Sequence, residues 1–220
     1  GKLNAWGDRA GYHYPVVLDG LEISVKNSTS DNLGSGDGNY LGISFGARNS
    51  YVGEAATSAV ALSLWNLYGQ GRIFFQNTHD YNSHKMMIYT KKDTTSATVG
   101  NTDASIILSQ PTDAFTLKFT ADGEDWYKVE LVSEGMEAFK DLNTGYVSAT
   151  HTLTGYTPVS TFGDFLSDNG EVYLTAIGFK HKNTTTQDLG FDIKITDENS
   201  LAYEQTLTTA DEKVTAYDTA

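Results

Sequence analysis

Cysteine is absent from the 220 residues, and with it go disulfide bonds, thiolate nucleophiles and Cys-ligated zinc. An intracellular protein and a bacterial secreted one both fit that absence. Positive charge is scarce as well: 15 Lys and Arg stand against 28 Asp and Glu, for a net charge of −13 and a pI near 4.6. A surface of that sign repels nucleic acid and anionic membranes on average. The adjacent basic pair Lys91-Lys92 is followed at once by Asp93 in a Thr/Ser-rich stretch, so no basic patch forms and nucleic acid is not an expected partner. No apolar run approaches the roughly 18 residues of a membrane-spanning helix, and Gly1-Lys2-Leu3-Asn4-Ala5 has no signal-peptide character; membrane insertion is not expected. The 3.6-residue period of amphipathic helices is nearly missing, and no repeat of fixed length recurs, which sets aside solenoids and propellers.

What is present instead is period two. In LEISVKN, Leu21, Ile23 and Val25 alternate with Glu22, Ser24 and Lys26, the mark of a strand with one face on a core and the other in water. The same holds for Phe115, Leu117 and Phe119 against Thr116, Lys118 and Thr120, and for Leu189, Phe191, Ile193 and Ile195 against Asp192, Lys194 and Thr196. A second group of segments is apolar or aromatic on both faces: residues 40–46, 59–67, 71–77, 84–90 and 171–180. Strands of that kind suit a sheet whose second face is covered or binds something. Turn-rich loops separate them at 31–39, 93–103, 121–125 and 167–170. The one helical candidate is SEGMEAFKDL at 133–142, where Met136, Phe139 and Lys140 fall near helical spacing. One domain is the default at this length: an irregular segment at 1–15, a sandwich at 16–200, and at 201–220 a C-terminal strand or a linker-like tail. The polar, Thr-rich ending TLTTADEKVTAYDTA reads as a boundary within a longer protein, hence as a monomeric module of a multidomain chain. The abundance of Asn, Thr, Ser, Gly and Tyr with little Lys is a balance common in extracellular bacterial surface proteins.

The order of these segments resembles the concanavalin A-like lectin and glucanase fold, which includes laminin G-like and many carbohydrate-binding modules. The resemblance rests on Gly42-Ile43-Ser44-Phe45-Gly46, Gly71-Arg72-Ile73-Phe74-Phe75, the alternation Phe115, Leu117, Phe119, the Asp122-Gly123 turn, and Trp126-Tyr127-Lys128-Val129-Glu130-Leu131. It covers roughly residues 16–197. It implies an all-β jelly-roll sandwich of two curved antiparallel sheets, with the polar-faced strands in one and the two-sided strands in the other. It also implies a structural calcium in many members, and sugar on the concave face or its rim loops.

Candidate sites follow from residue chemistry. SAVALSLWNLYGQG, residues 58–71, sets Val60, Leu62 and Leu64 on one face and Ala61, Ser63 and Trp65 on the other. A large ring beside small residues leaves room for a pyranose to stack. Arg72, Phe74 and Gln76 from one neighbouring segment, Lys85, Met87 and Tyr89 from another, and Tyr68 and Tyr81 from nearby loops would add donors and rings. The competing reading has Trp65 covered by the loop near Tyr68 or Tyr81 as auxiliary core. Trp126 is expected to cap an edge of the core, and Trp6 to tack down the N-terminal segment. Asp31, Asn32, Asp37 and Asn39 in DNLGSGDGN offer hard oxygens for calcium on a glycine-rich turn, without EF-hand spacing; an ordinary Asx/Gly loop explains them equally. His79 and His84 fix no zinc geometry. The Glu-x-Asp-x-Glu signature of family-16 glucanases is absent. Glu130 and Glu171 could meet only if their strands were adjacent, and each is read as a solvated acid. The expected function is a non-catalytic carbohydrate-binding module of a larger extracellular bacterial protein. The alternatives are a structural or adhesive domain that binds protein, and a glycoside hydrolase of the same fold.

Overall fold

The computed structural model describes residues 9–27, 40–46, 59–67, 72–76, 84–99, 104–107, 114–134, 137–141, 152–180, 190–197 and 202–208. The strands among them are β1 (Arg9–Val17), β2 (Glu22–Asn27), β3 (Tyr40–Gly46), β4 (Ala59–Leu67), β5 (Arg72–Gln76), β6 (His84–Lys85), β7 (Ala104–Ile107), β8 (Ala114–Ala121), β9 (Trp126–Glu134), β10 (Glu137–Asp141), β11 (Thr152–Pro158), β12 (Glu171–Lys180), β13 (Gly190–Thr196) and β14 (Ala202–Thr208). They form two sheets. The first runs β1-β12-β3-β4-β5-β7-β10 with β6 attached beside β4, and the second runs β11-β9-β8-β2-β13-β14. All neighbours are antiparallel except the short β6, which lies parallel to β4. The all-β sandwich of two antiparallel sheets is therefore the architecture observed. Two single-turn 3₁₀ helices, Val159–Thr161 and Gly163–Phe165, interrupt it between β11 and β12.

The polar-faced segments are β8, β2 and β13, consecutive in the second sheet. Their apolar rows, Phe115, Leu117 and Phe119, Ile23 and Val25, and Ile193 and Ile195, are all buried. Their polar rows meet on the outer face, where Ser24 and Thr116 hydroxyls hydrogen-bond at 2.9 Å and Lys118 pairs with Glu22 at 3.2 Å. Exposed pairs like the latter contribute about 0–1 kcal/mol, so burial of the apolar rows holds the sheet down. The two-sided segments β3, β4, β5, β6 and β12 all belong to the first sheet.

Between the sheets, Phe45 from β3 meets the edge of Phe119 from β8 at 5.5 Å, and Phe162 stands at 6.1 Å from Phe45 and 5.7 Å from Tyr127, each pair near perpendicular. Edge-to-face contacts of this kind exceed their area burial by about 0.5–1.5 kcal/mol. The hairpin between β8 and β9 closes at the expected Asp-Gly turn: Gly123 has φ +77°, and the Asp122 N–H donates to the Trp126 carbonyl at 2.8 Å. Glycine reaches that left-handed backbone without a Cβ penalty. One tie crosses from β1 to the end of β13, the Val17 N–H donating to Oδ2 of the buried Asp197 at 3.1 Å.

Two expectations are corrected. Residues 9–15 are not irregular: β1 pairs with β12 from Arg9 opposite Gly178 onward, and a register shift between Gly11 and Tyr14 breaks the alternation that would have revealed it. The described residues of the 133–142 segment are strand rather than helix. β9 continues through Glu134, and β10 pairs with β7 through Lys140 opposite Ser105 and Asp141 opposite Ala104. Pairing with a strand distant in sequence overrides a weak local helical spacing. β14 pairs with β13 along its whole length, so residues 202–208 take the strand alternative for the C-terminal segment.

Candidate functional site

Ile43 and Phe45 are fully buried and stand opposite Leu62 and Val60. Strand alternation then assigns Tyr40 on β3 and Trp65 on β4, an odd number of residues away, to the other face of the first sheet. Tyr40 is in register with Trp65, and Trp65 with Phe74 on β5. Three aromatic positions thus form one cross-strand row, roughly 10 Å from first strand to third at ordinary strand spacing. The adjoining row is Gly42, Ser63 and Gln76, one glycine and two polar positions. Arg72 stands opposite Leu67 on the same face. The structure therefore brings Trp65, Arg72, Phe74 and Gln76 together by register, and adds Tyr40. Tyr68 and Tyr81 lie outside the described residues, as do Asp31, Asn32, Asp37 and Asn39, together with His79 and Trp6.

Tyr89 is not part of that row. Of residues 84–90, only His84 and Lys85 pair with β4, opposite Val60 and Ala61. Beyond them Met86 and Ile88 are buried, and Tyr89 exchanges both backbone hydrogen bonds with Tyr156 of β11, at 2.7 and 2.8 Å. The chain has crossed from one sheet to the edge of the other. Its packing leaves no space at Gly155, where a Cβ would run into Ile88 Cγ2 and lie 3.2 Å from both the Tyr89 carbonyl and Val99 Cγ2.

Trp126 does not cap the core either. It alternates with the buried Tyr127 and Val129 and is half-buried on the outer face, its ring 6.3 Å from that of Tyr89 at 87°. The signal for this was its shared period with Lys128 and Glu130. Those two form an ion pair at 3.5 Å. Tyr156 is in register with Lys128, Thr154 with Glu130, and Pro158 with Trp126. An aromatic corner thus occupies the β9–β11 end of a face whose β8–β2 part carries the bonded polar residues Glu22, Ser24, Thr116 and Lys118.

The two carboxylates considered for acid–base work are on different sheets. Glu130 on β9 pairs with Lys118 of β8 and Thr154 of β11, whereas Glu171 on β12 is in register with Val17 of β1. They do not meet across adjacent strands. Among the described residues, no group of three His, Asp or Glu side chains could hold a metal, and no helix is long and apolar enough to cross a membrane. Among the described residues, two side chains have displaced titrations. The Thr95 backbone N–H and hydroxyl, at 2.9 and 2.8 Å, hold the Asp93 carboxyl below its ordinary range. Burial, and then the nearby Asp19 carboxylate, push the Tyr127 phenol above its own.

Fold and register define a two-sheet β-sandwich. No protein-family model and no curated protein matches the chain. Among solved structures, scytalido-glutamic peptidase with a peptide-based transition-state analogue is similar at TM-score 0.32 and 10% identity, and the same enzyme with a transition-state analogue inhibitor at 0.34 and 11%. SCP-B, a member of the Eqolisin family of peptidases in complex with the tripeptide Ala-Ile-His, is similar at 0.29 and 11%. Each likeness covers 91% of this chain and 86% of the other. At these values the similarity assigns neither family nor activity to this chain.

Proposed function

We propose that this domain is a non-catalytic carbohydrate-binding module of the concanavalin A-like lectin type, part of a larger extracellular bacterial protein, that takes glycan on the second face of its eight-stranded sheet. The observation that carries the reading is the register of Tyr40, Trp65 and Phe74, flanked by Gly42, Ser63 and Gln76. Sugar rings present C–H faces that stack on aromatic rings, while their hydroxyls need donors and acceptors at the margin. A row of rings beside a row of small and polar residues meets both needs. The net charge of −13 favours neutral over anionic glycans. Calcium, held by Asp31, Asn32, Asp37 and Asn39, belongs to the proposal as a structural ion.

The test is intrinsic fluorescence of wild type and Trp65→Ala titrated with plant, algal and host polysaccharides, with calcium and with chelator. The expected result is a saturable, ligand-dependent shift in wild type that disappears in the variant while its melting temperature stays near that of wild type. No shift with any glycan, together with a badly destabilised variant, overturns the reading. That outcome would make Trp65 auxiliary core and the domain a structural or adhesive spacer. Chelator that leaves both binding and melting temperature unchanged would remove calcium from it.

A further inference from the structure

We propose a second glycan contact on the opposite sheet, at the corner made by Tyr89, Trp126 and Tyr156, which takes a neutral pyranose independently of the Trp65 row. Across β8 and β2 the outer face of the second sheet is what a solvated face should be, with Ser24 bonded to Thr116 and Glu22 to Lys118. At its β9–β11 end this gives way to aromatic residues that are only half-buried. Rings acting as auxiliary core would be covered, as Tyr127 and Phe162 are.

The geometry suits a sugar. Tyr89 and Trp126 meet edge to face at 87°, so the pair forms a right-angled corner rather than a closed stack, and a pyranose can lie against one ring with its edge toward the other. Among the described residues, neither phenolic oxygen nor the indole N–H has a hydrogen-bond partner within the protein. Ligand hydroxyls can engage all three without breaking a bond among the described residues. Lys128 and Glu130, partly exposed at 35% and 22% and 3.5 Å apart, supply a donor and an acceptor beside the rings, and the exposed Thr154 stands in register with Glu130. Lys128 already has a carboxylate partner, so it is not the free cation that a uronate or sulfated sugar would draw on. The matching ligand is neutral.

The chain has three tryptophans, Trp6, Trp65 and Trp126, so labelling with 5-fluorotryptophan yields three fluorine NMR signals that Trp65→Phe and Trp126→Phe assign. The labelled protein is titrated with cellopentaose, laminaripentaose, xylopentaose and mannopentaose. The expected result is a saturable shift of the Trp126 signal with at least one of them, weakened about tenfold in Tyr89→Leu, the size of one stacking contact. If Tyr89→Leu collapses the spectrum, Glu130→Gln on the exposed ion pair serves in its place and is expected to weaken the shift. A Trp126 signal that stays fixed with all four sugars while the Trp65 signal moves overturns this inference and leaves the proposed function standing. Movement of Trp126 alone upholds the corner and removes the Trp65 row as the platform. Signals that never move overturn both.

Discussion

Gly155→Ala tests whether the segment carrying Tyr89 is seated against the second sheet as described. Gly155 has no left-handed φ to protect, so alanine's backbone preferences are not at issue. The cost is steric. The new methyl group would collide with Ile88 Cγ2 and crowd the Tyr89 carbonyl and Val99 Cγ2, both 3.2 Å away. Ile88 and Val99 are buried, and the Tyr89 carbonyl is tied to the Tyr156 N–H at 2.8 Å. None of the three can yield as a flexible surface side chain would. Overpacking of a tight interior costs about 1–3 kcal/mol, which for a domain of this size lowers the melting temperature by about 2–12 °C. A thermal melt followed by circular dichroism measures it. The double variant Gly155→Ala with Ile88→Ala isolates the cause: removing Ile88 also removes the colliding methyl, so the two changes should couple favourably by 1 kcal/mol or more, roughly. A Gly155→Ala protein within about 0.5 kcal/mol of wild type, or additive behaviour in the double variant, would refute the close approach between the 86–99 segment and β11.

Phe162→Ala should destabilise by about 3–5 kcal/mol in urea, because a fully buried ring that contacts both Phe45 and Tyr127 leaves a cavity at the junction of the sheets; a loss below about 1 kcal/mol would place Phe162 outside the core. Tyr127 carries a pH prediction. Its pKa is raised by burial and by Asp19, so its neutral form is favoured in the fold. The stability this gives is complete below the phenol's unfolded value near pH 10, and is lost as pH rises through the higher folded value. Absorbance at the phenolate band should show one tyrosine ionising late, and Tyr127→Phe should remove that step along with part of the alkaline loss of stability.

Much of the sandwich is legible in the sequence because its outer face is wet. The alternation of Leu21, Ile23 and Val25 with polar residues, repeated around Leu117 and Ile193, marks strands that prove to be neighbours. The segments without alternation fall in the other sheet, HKMMIYT only through its first two residues. What escapes is non-local. β10 carries a helix-like spacing and becomes a strand only because β7 is there to pair with it. HKMMIYT reads as one strand, yet it divides between two sheets after Lys85. Phe162 sits between two 3₁₀ turns with no period to announce it, and is among the most buried side chains. Of the candidate site, the row around Trp65 follows from alternation plus register. The aromatic corner does not, since Tyr89 and Trp126 meet only through that crossing.

The tie between Val17 and Asp197 joins positions 180 residues apart, and Ser24 reaches Thr116 across 92. β2, formed early along the chain, has for partners only β8 and β13. During synthesis its edges wait unpaired until those strands emerge, with the apolar row Ile23 and Val25 uncovered. Such a topology places the domain among the slow folders, milliseconds to seconds, and makes the nascent N-terminal half the stage most exposed to edge-to-edge association.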